Sequence, residues 1–166
     1  RTVVTGSQFN DQLSINIDIN SHISEITAHI EAARFFYPEC NAVLDVGGQD
    51  SKAMRFDSKM AIWKSLMSGV CASGTGAFLD NLAYRLGVDI EQINDLATLN
   101  SGLEFSWVCG VFGATSINRF KSQYPIGMII DGACRSQARM IAVGVGQLFE
   151  GYSGKIIFQG GVAANR

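Results

Sequence analysis

Residues 42–52, AVLDVGGQDSK, constrain the fold more than any other part of the chain. An apolar run predicts a buried strand, and the glycines after it predict a tight turn into a second strand. Asp45 then lies near a strand end, beside backbone N–H groups at Gly47 and Gly48. Glycine permits close backbone approach, consecutive N–H groups bind anions, and a nearby carboxylate suits Mg²⁺. The segment predicts either a hairpin that binds phosphate and magnesium or an ordinary hairpin with a glycine turn.

The composition indicates a domain with a sizeable core and few charges. The chain has 166 residues, of which 47% are hydrophobic and 17% are charged, and its net charge is −2. Soluble domains average about 25% charged residues, so part of the surface is expected to be an interface. The weak acidity and the lack of a basic patch argue against a nucleic acid partner. No apolar stretch is long enough to cross a membrane, and four cysteines without paired spacing favour a cytoplasmic protein.

Hydrophobic spacing predicts the elements around the hairpin. The expected elements are a strand at residues 2–5, a loop or short strand at 7–20, a helix over 24–36, the hairpin over 42–57 and a third strand within 60–67. The helix places Glu25 and His29 four residues apart on one face. They form either a functional pair or a solvated ion pair. Cys40, just before the hairpin, has no evident role.

Two cysteines precede predicted helices. Cys71 lies in a glycine-rich segment before a helix over residues 77–86, and Cys109 lies before a helix over 114–121. Between them, a capping box at residues 89–92 predicts a helix to about residue 98. A helix N-terminus lowers the pKa of a thiol and favours the thiolate. The two cysteines are either small buried hydrophobes or ligands of a metal centre that a symmetric dimer completes.

The end of the chain predicts a long helix and a second glycine turn. Residues 125–151 carry apolar side chains at helical spacing, and Cys134 on that stripe is expected in the core. Residues 155–165, KIIFQGGVAAN, predict a strand that ends in Gly160 and Gly161 before a helix start. The backbone there can lie against a flat or anionic ligand, or the segment is a generic strand-to-helix turn.

Five segments together resemble one family, the BadF/BadG/BcrA/BcrD ATPases. This family includes activators of 2-hydroxyacyl-CoA dehydratases and ATPase subunits of benzoyl-CoA reductases. The segments are SEITAH at 24–29, VLDVGGQDSK at 43–52, CASGTGAFL at 71–79, CGVF at 109–112 and FQGGVAAN at 158–165. They occur in the family's order at near-family spacing, so the resemblance covers about residues 2–166.

The resemblance implies an α/β fold, the RNase-H-like ATPase domain shared by actin, Hsp70 chaperones and sugar kinases. Such a domain has a mixed sheet flanked by helices, here with a helical insertion that bears the cysteines. Residues 1–41 would be the tail of a first domain, a strand plus a helix. Residues 42–166 would be a second domain with the phosphate hairpin, the cluster helices and the adenosine loop. The chain is then expected to be a fragment of a longer protein.

The resemblance also assigns residues to the site. Asp45 would hold Mg²⁺ through water, and Gln49 or Asp50 would orient the attacking water. The residues expected to bind ATP or ADP are Gly47, Gly48, Ser51 and Lys52 in the hairpin, with Gly160, Gly161 and Ala163 in the adenosine loop. Cys71 and Cys109 would be the ligands of one [4Fe–4S] cluster that two subunits of a homodimer share.

The implied function is an ATP-dependent activator of anaerobic metabolism. ATP hydrolysis would drive an electron from the cluster into a 2-hydroxyacyl-CoA dehydratase or a benzoyl-CoA reductase component, and ferredoxin or flavodoxin would supply that electron. The full-length protein is expected to be an ATPase and the isolated fragment to be inactive. Two alternatives stay open: a small-molecule kinase of the same superfamily, and a non-catalytic module that uses nucleotide as a conformational signal.

Overall fold

A computed structural model of the chain describes residues 2–5, 19–68, 75–104 and 110–165. The strands are β1 (Thr2–Val4), β2 (Ile19–His22), β3 (Ala42–Val46), β4 (Ser51–Asp57), β5 (Ile62–Met67) and β6 (Ile157–Gln159). The helices are α1 (Glu25–Phe36), α2 (Gly76–Leu86), α3 (Ile93–Leu96), α4 (Gly110–Phe120) and α5 (Ile126–Gly144). Short 3₁₀ helices span Ile90–Gln92, Gly146–Phe149 and Gly161–Ala164. Cys71 and Cys109 lie outside the described residues, as does most of the predicted loop or strand at 7–20.

A four-stranded mixed sheet in the order β5-β4-β3-β6 organises the described structure. β3 pairs antiparallel with β4, and β4 pairs antiparallel with β5. β6 lies parallel to β3 on its other side, while β1 and β2 form a two-stranded parallel ladder. The predicted hairpin, the third strand and the mixed sheet are confirmed.

α1 packs on one face of this sheet through apolar side chains. Its N-cap is Ser24, whose hydroxyl accepts the Thr27 N–H at 3.1 Å, so the predicted start is confirmed. Further along the helix, Ile30 and Ala33 are buried against the sheet. The sheet residues beneath them are Val43, Met54 and Ile157, which lie side by side on β3, β4 and β6.

The other helices share a second core. Its buried residues come from α2, α3, α4, α5 and the segment before α4. Cys134 packs against this core, and burial raises the pKa of its thiol, in agreement with the prediction. α5 begins in close contact with the segment after α3, where the Thr98 N–H donates to the Gly127 carbonyl at 3.0 Å. A Cβ at Gly127 would collide with the Leu96 carbonyl, so glycine permits this approach.

Three helices have different bounds from those predicted. The capping box is present, with the Asp89 N–H donating to Gln92 Oε1 at 3.0 Å, but the helix it opens ends at Leu96. α4 begins at Gly110, four residues earlier than predicted. The prediction of one helix over 125–151 is wrong beyond residue 144, because Val145 leaves the helical region with φ −129° and a 3₁₀ turn follows.

Cys40 joins the sheet to the segment before β6. Its thiol is buried and donates to the carbonyls of Ala42 at 3.2 Å and Lys155 at 3.1 Å. No helix among the described residues has both the length and the hydrophobicity needed to span a membrane.

Gly160→Ala is expected to destabilise the protein by at least ~2 kcal/mol, because Gly160 has φ +93° and an added Cβ would collide with the Val46 carbonyl. Gly161→Ala is the control, since a Cβ there meets no atom within 4 Å. Urea denaturation of both variants measures the difference. Equal stability of the two would show that the close packing of Gly160 on β3 carries no energetic weight.

Candidate functional site

Asp45 is the centre of a polar row across the sheet. Its neighbours in register are Lys52 on β4 and Gln159 on β6, and side chains opposite one another share a face. Asp45 is only 6% exposed. Its Oδ1 accepts from Gln159 Nε2 at 3.1 Å, and Lys52 Nζ lies 3.9 Å from its Oδ2. The carboxylate at the predicted position is therefore buried and held in one orientation.

The Lys52 ammonium lies among three carboxylates. Nζ donates to Asp50 Oδ1 at 2.7 Å, lies 3.1 Å from Glu25 Oε1 and approaches Asp45 as described. Burial disfavours the charged ammonium, but the hydrogen bonds to Asp50 and Glu25 outweigh burial and raise the pKa of Lys52. Its head group is engaged inside the protein, and contact with a nucleotide stays a prediction. Three carboxylates around one ammonium leave an excess of negative charge, which suits a hard divalent cation.

α1 brings Glu25 and His29 over the same polar row. His29 Nδ1 lies 2.6 Å from Gln159 Nε2, and His29 Nε2 lies 3.6 Å from Glu25 Oε1 and 3.8 Å from Asp45 Oδ2. Glu25 and His29 are therefore more than a solvated ion pair, because His29 also lies beside the Asp45 carboxylate. The sequence assigned no role to Gln159, and for His29 it left open only a functional pair with Glu25. The only signals for them were the spacing of Glu25 and His29 and the FQGG segment.

The turn between β3 and β4 holds the start of α2. The first N–H groups of a helix have no intrahelical partner. Here the N–H groups of Gly76 and Ala77 donate to the carbonyls of Gly47 and Gly48, each at 2.8 Å. The Gly47 N–H itself donates to the Asp50 carbonyl at 3.0 Å. The turn is therefore fixed from both sides, and the Gly47 N–H is used within it.

A cavity of about 510 Å³ opens between this turn, the start of α2, residues 90–94 and the loop after β6. Gly47 and Gly48 line one part and Gly161 another, while Leu79 and Ile93 contribute apolar surface. Its volume is typical of small-molecule sites, about 300–1,000 Å³. The two predicted glycine turns thus meet at one cavity.

The parallel pairing of β3 and β6 explains why the turns meet. The last paired residues are Asp45 and Gln159, so both strands end at the same edge of the sheet. Ligands in open α/β sheets bind beyond the carboxyl ends of the strands. Gly160, with its left-handed backbone, directs the chain into the 3₁₀ helix Gly161–Ala164 beside the hairpin turn.

The other residues predicted for the site are not among those that line the cavity: Asp45, Gln49, Asp50, Ser51, Lys52, Gly160 and Ala163. Ser51 is buried at the start of β4, where its N–H donates to Ser68 Oγ at 2.9 Å. The Ala163 N–H donates to the Gly160 carbonyl at 3.0 Å, and Gln49 is exposed at the turn. Among the described residues, no three His, Cys, Asp or Glu side chains form a direct metal-ligand set. Mg²⁺ keeps several waters and uses one or two carboxylates, so the oxygen donors of Asp45 and Asp50 fit it.

The mixed sheet, with its acidic hairpin and second glycine turn, matches the actin-like fold of two solved activator structures. The activator of 2-hydroxyisocaproyl-CoA dehydratase from Clostridium difficile, solved with bound ADPNP, matches with a TM-score of 0.76 at 30% identity. The match covers 98% of this chain and 59% of that one. The chain belongs to the BadF/BadG/BcrA/BcrD ATPase family, whose model matches residues 2–166.

Curated relatives agree with this assignment. The chain is 32% identical over 151 residues to a 2-hydroxyisocaproyl-CoA dehydratase activator of Clostridioides difficile, covering 89% of this chain and 56% of the relative. It is 32% identical over 168 residues to the activator of lactoyl-CoA dehydratase of Anaerotignum propionicum, covering 99% and 62%. The chain therefore spans a little over half the length of these relatives.

Lys52→Met is expected to destabilise the protein by about 2–3 kcal/mol at pH 7, because it leaves three carboxylates without their cation. The expected loss of unfolding free energy is at the low end for a buried ion pair, since the side chains of Glu25 and Asp50 are partly exposed and screened by solvent. Because the pKa of Lys52 is raised in the folded state, its ammonium stabilises the fold fully at pH values below 10.5, the ordinary lysine pKa. This stabilisation is lost as the pH rises through the pKa of the folded state.

The difference in unfolding free energy between wild type and Lys52→Met should therefore narrow above pH 10.5. Chemical denaturation across this pH range measures it. Lys64→Met is the control, because Lys64 is half-exposed and pairs with Asp57 on the same sheet. A loss for Lys64→Met as large as that for Lys52→Met would argue against the special role of the buried lysine.

Proposed function

We propose that this chain forms the nucleotide-binding part of an ATP-dependent activator of a 2-hydroxyacyl-CoA dehydratase or a related CoA-ester reductase. The observation that carries the proposal is the meeting of two glycine turns at one cavity. The first of these turns follows β3, whose penultimate residue Asp45 is a buried carboxylate. Further support comes from a structural neighbour that contains ADPNP and from relatives named as dehydratase activators.

In this proposal, the phosphates of the nucleotide lie against the turn after β3. The backbone of Gly48 and Gln49 would bind them, since the Gly47 N–H is used within the turn. A Cβ at Gly48 would meet no atom within 4 Å, so there is open space for a ligand. The loop with Gly160, Gly161 and Ala163 would bind the adenosine. Apolar residues of the cavity suit a flat base.

Asp45 would hold Mg²⁺ through water, and Gln49 or Asp50 would orient the water that attacks the terminal phosphate. When bound, Mg²⁺ neutralises charge on the phosphates. The protein's own contribution is a fixed carboxylate at the strand end, because Asp45 is buried and accepts a hydrogen bond from Gln159. Contacts of Ser51 and Lys52 with the nucleotide are part of the same proposal.

For electron transfer, we propose that Cys71 and Cys109 of two copies ligate one [4Fe–4S] cluster. When bound, the cluster would carry one electron at low potential, supplied by ferredoxin or flavodoxin. Support comes from the helix bounds, since α2 begins five residues after Cys71 and α4 directly after Cys109. α2 and α4 pack on each other, so movement of one would affect the other.

Asp45→Asn in the full-length protein is expected to lower the affinity for Mg²⁺·ATP at least ~10-fold and to abolish ATP hydrolysis, because a neutral amide holds a hydrated divalent cation poorly. Binding of ADPNP with and without Mg²⁺ and phosphate release measure these effects. Asp57→Asn is the control, because this partly exposed carboxylate pairs with Lys64 at the end of β4.

Wild-type phosphate release to water, stimulated by a dehydratase partner, supports the activator. Phosphate transfer to a small acceptor indicates the kinase alternative instead. Nucleotide binding without turnover, with or without a partner, indicates a signalling module.

Cys71→Ser and Cys109→Ser are each expected to remove the cluster, because each change takes two of four ligands from a homodimer. The measurement is anaerobic reconstitution of the full-length protein, followed by iron and sulfide assay and EPR. Cys134→Ser is the matched control, since this thiol packs against the helical core. A normal cluster in both ligand variants would rule out the assignment.

A further inference from the structure

We propose that Gln159 and His29 are positioning residues that orient the Asp45 carboxylate for a hydrated metal ion on the bound nucleotide. This inference rests on the proposed function, and it concerns residues that act through Asp45. The juxtaposition behind it is a chain of three side chains from three elements: Asp45 at the end of β3, Gln159 at the end of β6 and His29 on α1.

The sheet register sets the first link of this chain. Asp45 and Gln159 are opposite each other in the parallel β3–β6 pair, so their side chains lie on the same face. Gln159 is also the residue before Gly160, and Gly161 lines the cavity. The side chain that holds the carboxylate thus lies on the strand that leads into the loop proposed for adenosine.

The Gln159 amide bridges the Asp45 carboxylate and the His29 ring. The amide nitrogen of Gln159 has two protons and lies 3.1 Å from Asp45 Oδ1 and 2.6 Å from His29 Nδ1. It donates to both only if Nδ1 of His29 carries no proton. The other ring nitrogen, Nε2, lies 3.6 Å from Glu25 Oε1 and 3.8 Å from Asp45 Oδ2. The hydrogen bond from Gln159 therefore orients Oδ1 of Asp45, while His29 and Lys52 both lie near Oδ2.

An uncharged donor such as Gln159 matters because it orients the carboxylate without cancelling its charge. Lys52, the nearest cation, lies 3.9 Å from Asp45 but 2.7 Å from Asp50 and 3.1 Å from Glu25. Its charge is thus shared with two closer carboxylates. The Gln159 amide carries no charge, so it leaves Asp45 with its charge for a divalent cation, in the way that outer-shell partners orient metal ligands elsewhere.

The test uses Gln159→Met in the full-length protein, which keeps the length of the side chain and removes the donor. The affinity for the probe ADPNP is measured by calorimetry with saturating Mg²⁺ and again in EDTA. The gain in affinity that Mg²⁺ confers should fall about tenfold, as is usual for loss of an outer-shell partner, while affinity in EDTA stays unchanged. A purely structural role would lower both affinities together with the melting temperature.

His29 supplies a second, independent pair of variants. His29→Leu should reduce the Mg²⁺-dependent gain in the same direction, whereas His29→Asn keeps an acceptor for Gln159 and should retain the gain within about threefold. Gln123→Met, at an exposed position, is the matched control for the glutamine change. If Gln159→Met fails to fold, the two His29 variants test the positioning role. A smaller Mg²⁺-dependent gain in affinity for His29→Leu than for His29→Asn supports it, and equal gains contradict it.

Asp45→Asn separates this inference from the proposed function. A wild-type protein whose ADPNP affinity does not depend on Mg²⁺ would overturn the metal site and with it the positioning role. If Asp45→Asn loses the Mg²⁺-dependent gain but Gln159→Met and His29→Leu both retain it, the positioning role is overturned and the proposed function stands.

Discussion

The parallel pairing of β6 with β3 is the contact on which the rest of the structure depends. It joins residues 114 positions apart, such as Asp45 and Gln159, and it brings the glycine loop after β6 to the hairpin turn after β3. Without it, each turn would be an ordinary surface turn and no cavity would form between them. The close approach of Gly160 to the Val46 carbonyl follows from the same pairing, because the chain must turn sharply once the strand ends.

The sheet also explains how a polar site is built next to an apolar core. Neighbouring strands place Val43 in an apolar row and Asp45, two residues on, in a polar row on the same face. α1 shows the same division into polar and apolar side chains along its length, with Glu25 and His29 near its start and Ile30 and Ala33 further along. One helix therefore seals the core and completes the polar cluster, and the burial of Asp45 and Lys52 is offset by hydrogen bonds and ion pairs.

The sequence predicted those parts of the fold that are specified by residues close together in the chain. The hairpin, the capping box and the start of α1 follow from residue types a few positions apart, and family resemblance supplied the fold. The cluster at Asp45 did not follow, because His29 and Gln159 are 130 positions apart and meet only through the pairing of β3 with β6. The end of α5 was missed for a different reason: apolar spacing continues past Gly144, while the backbone at Val145 leaves the helix.

The hydrogen bonds of the hairpin turn give the proposed function a physical route from nucleotide to cysteines. Because the carbonyls of Gly47 and Gly48 accept the first N–H groups of α2, a displacement of the turn by phosphate must shift or strain α2. At the other end, Lys121 after α4 donates to the Arg85 carbonyl of α2 at 2.6 Å. The two helices are thus tied to each other as well as to the turn, and the proposed ligands precede both. A change at the cavity would be transmitted as a helix movement, because packed cores shift between discrete arrangements and do not deform continuously.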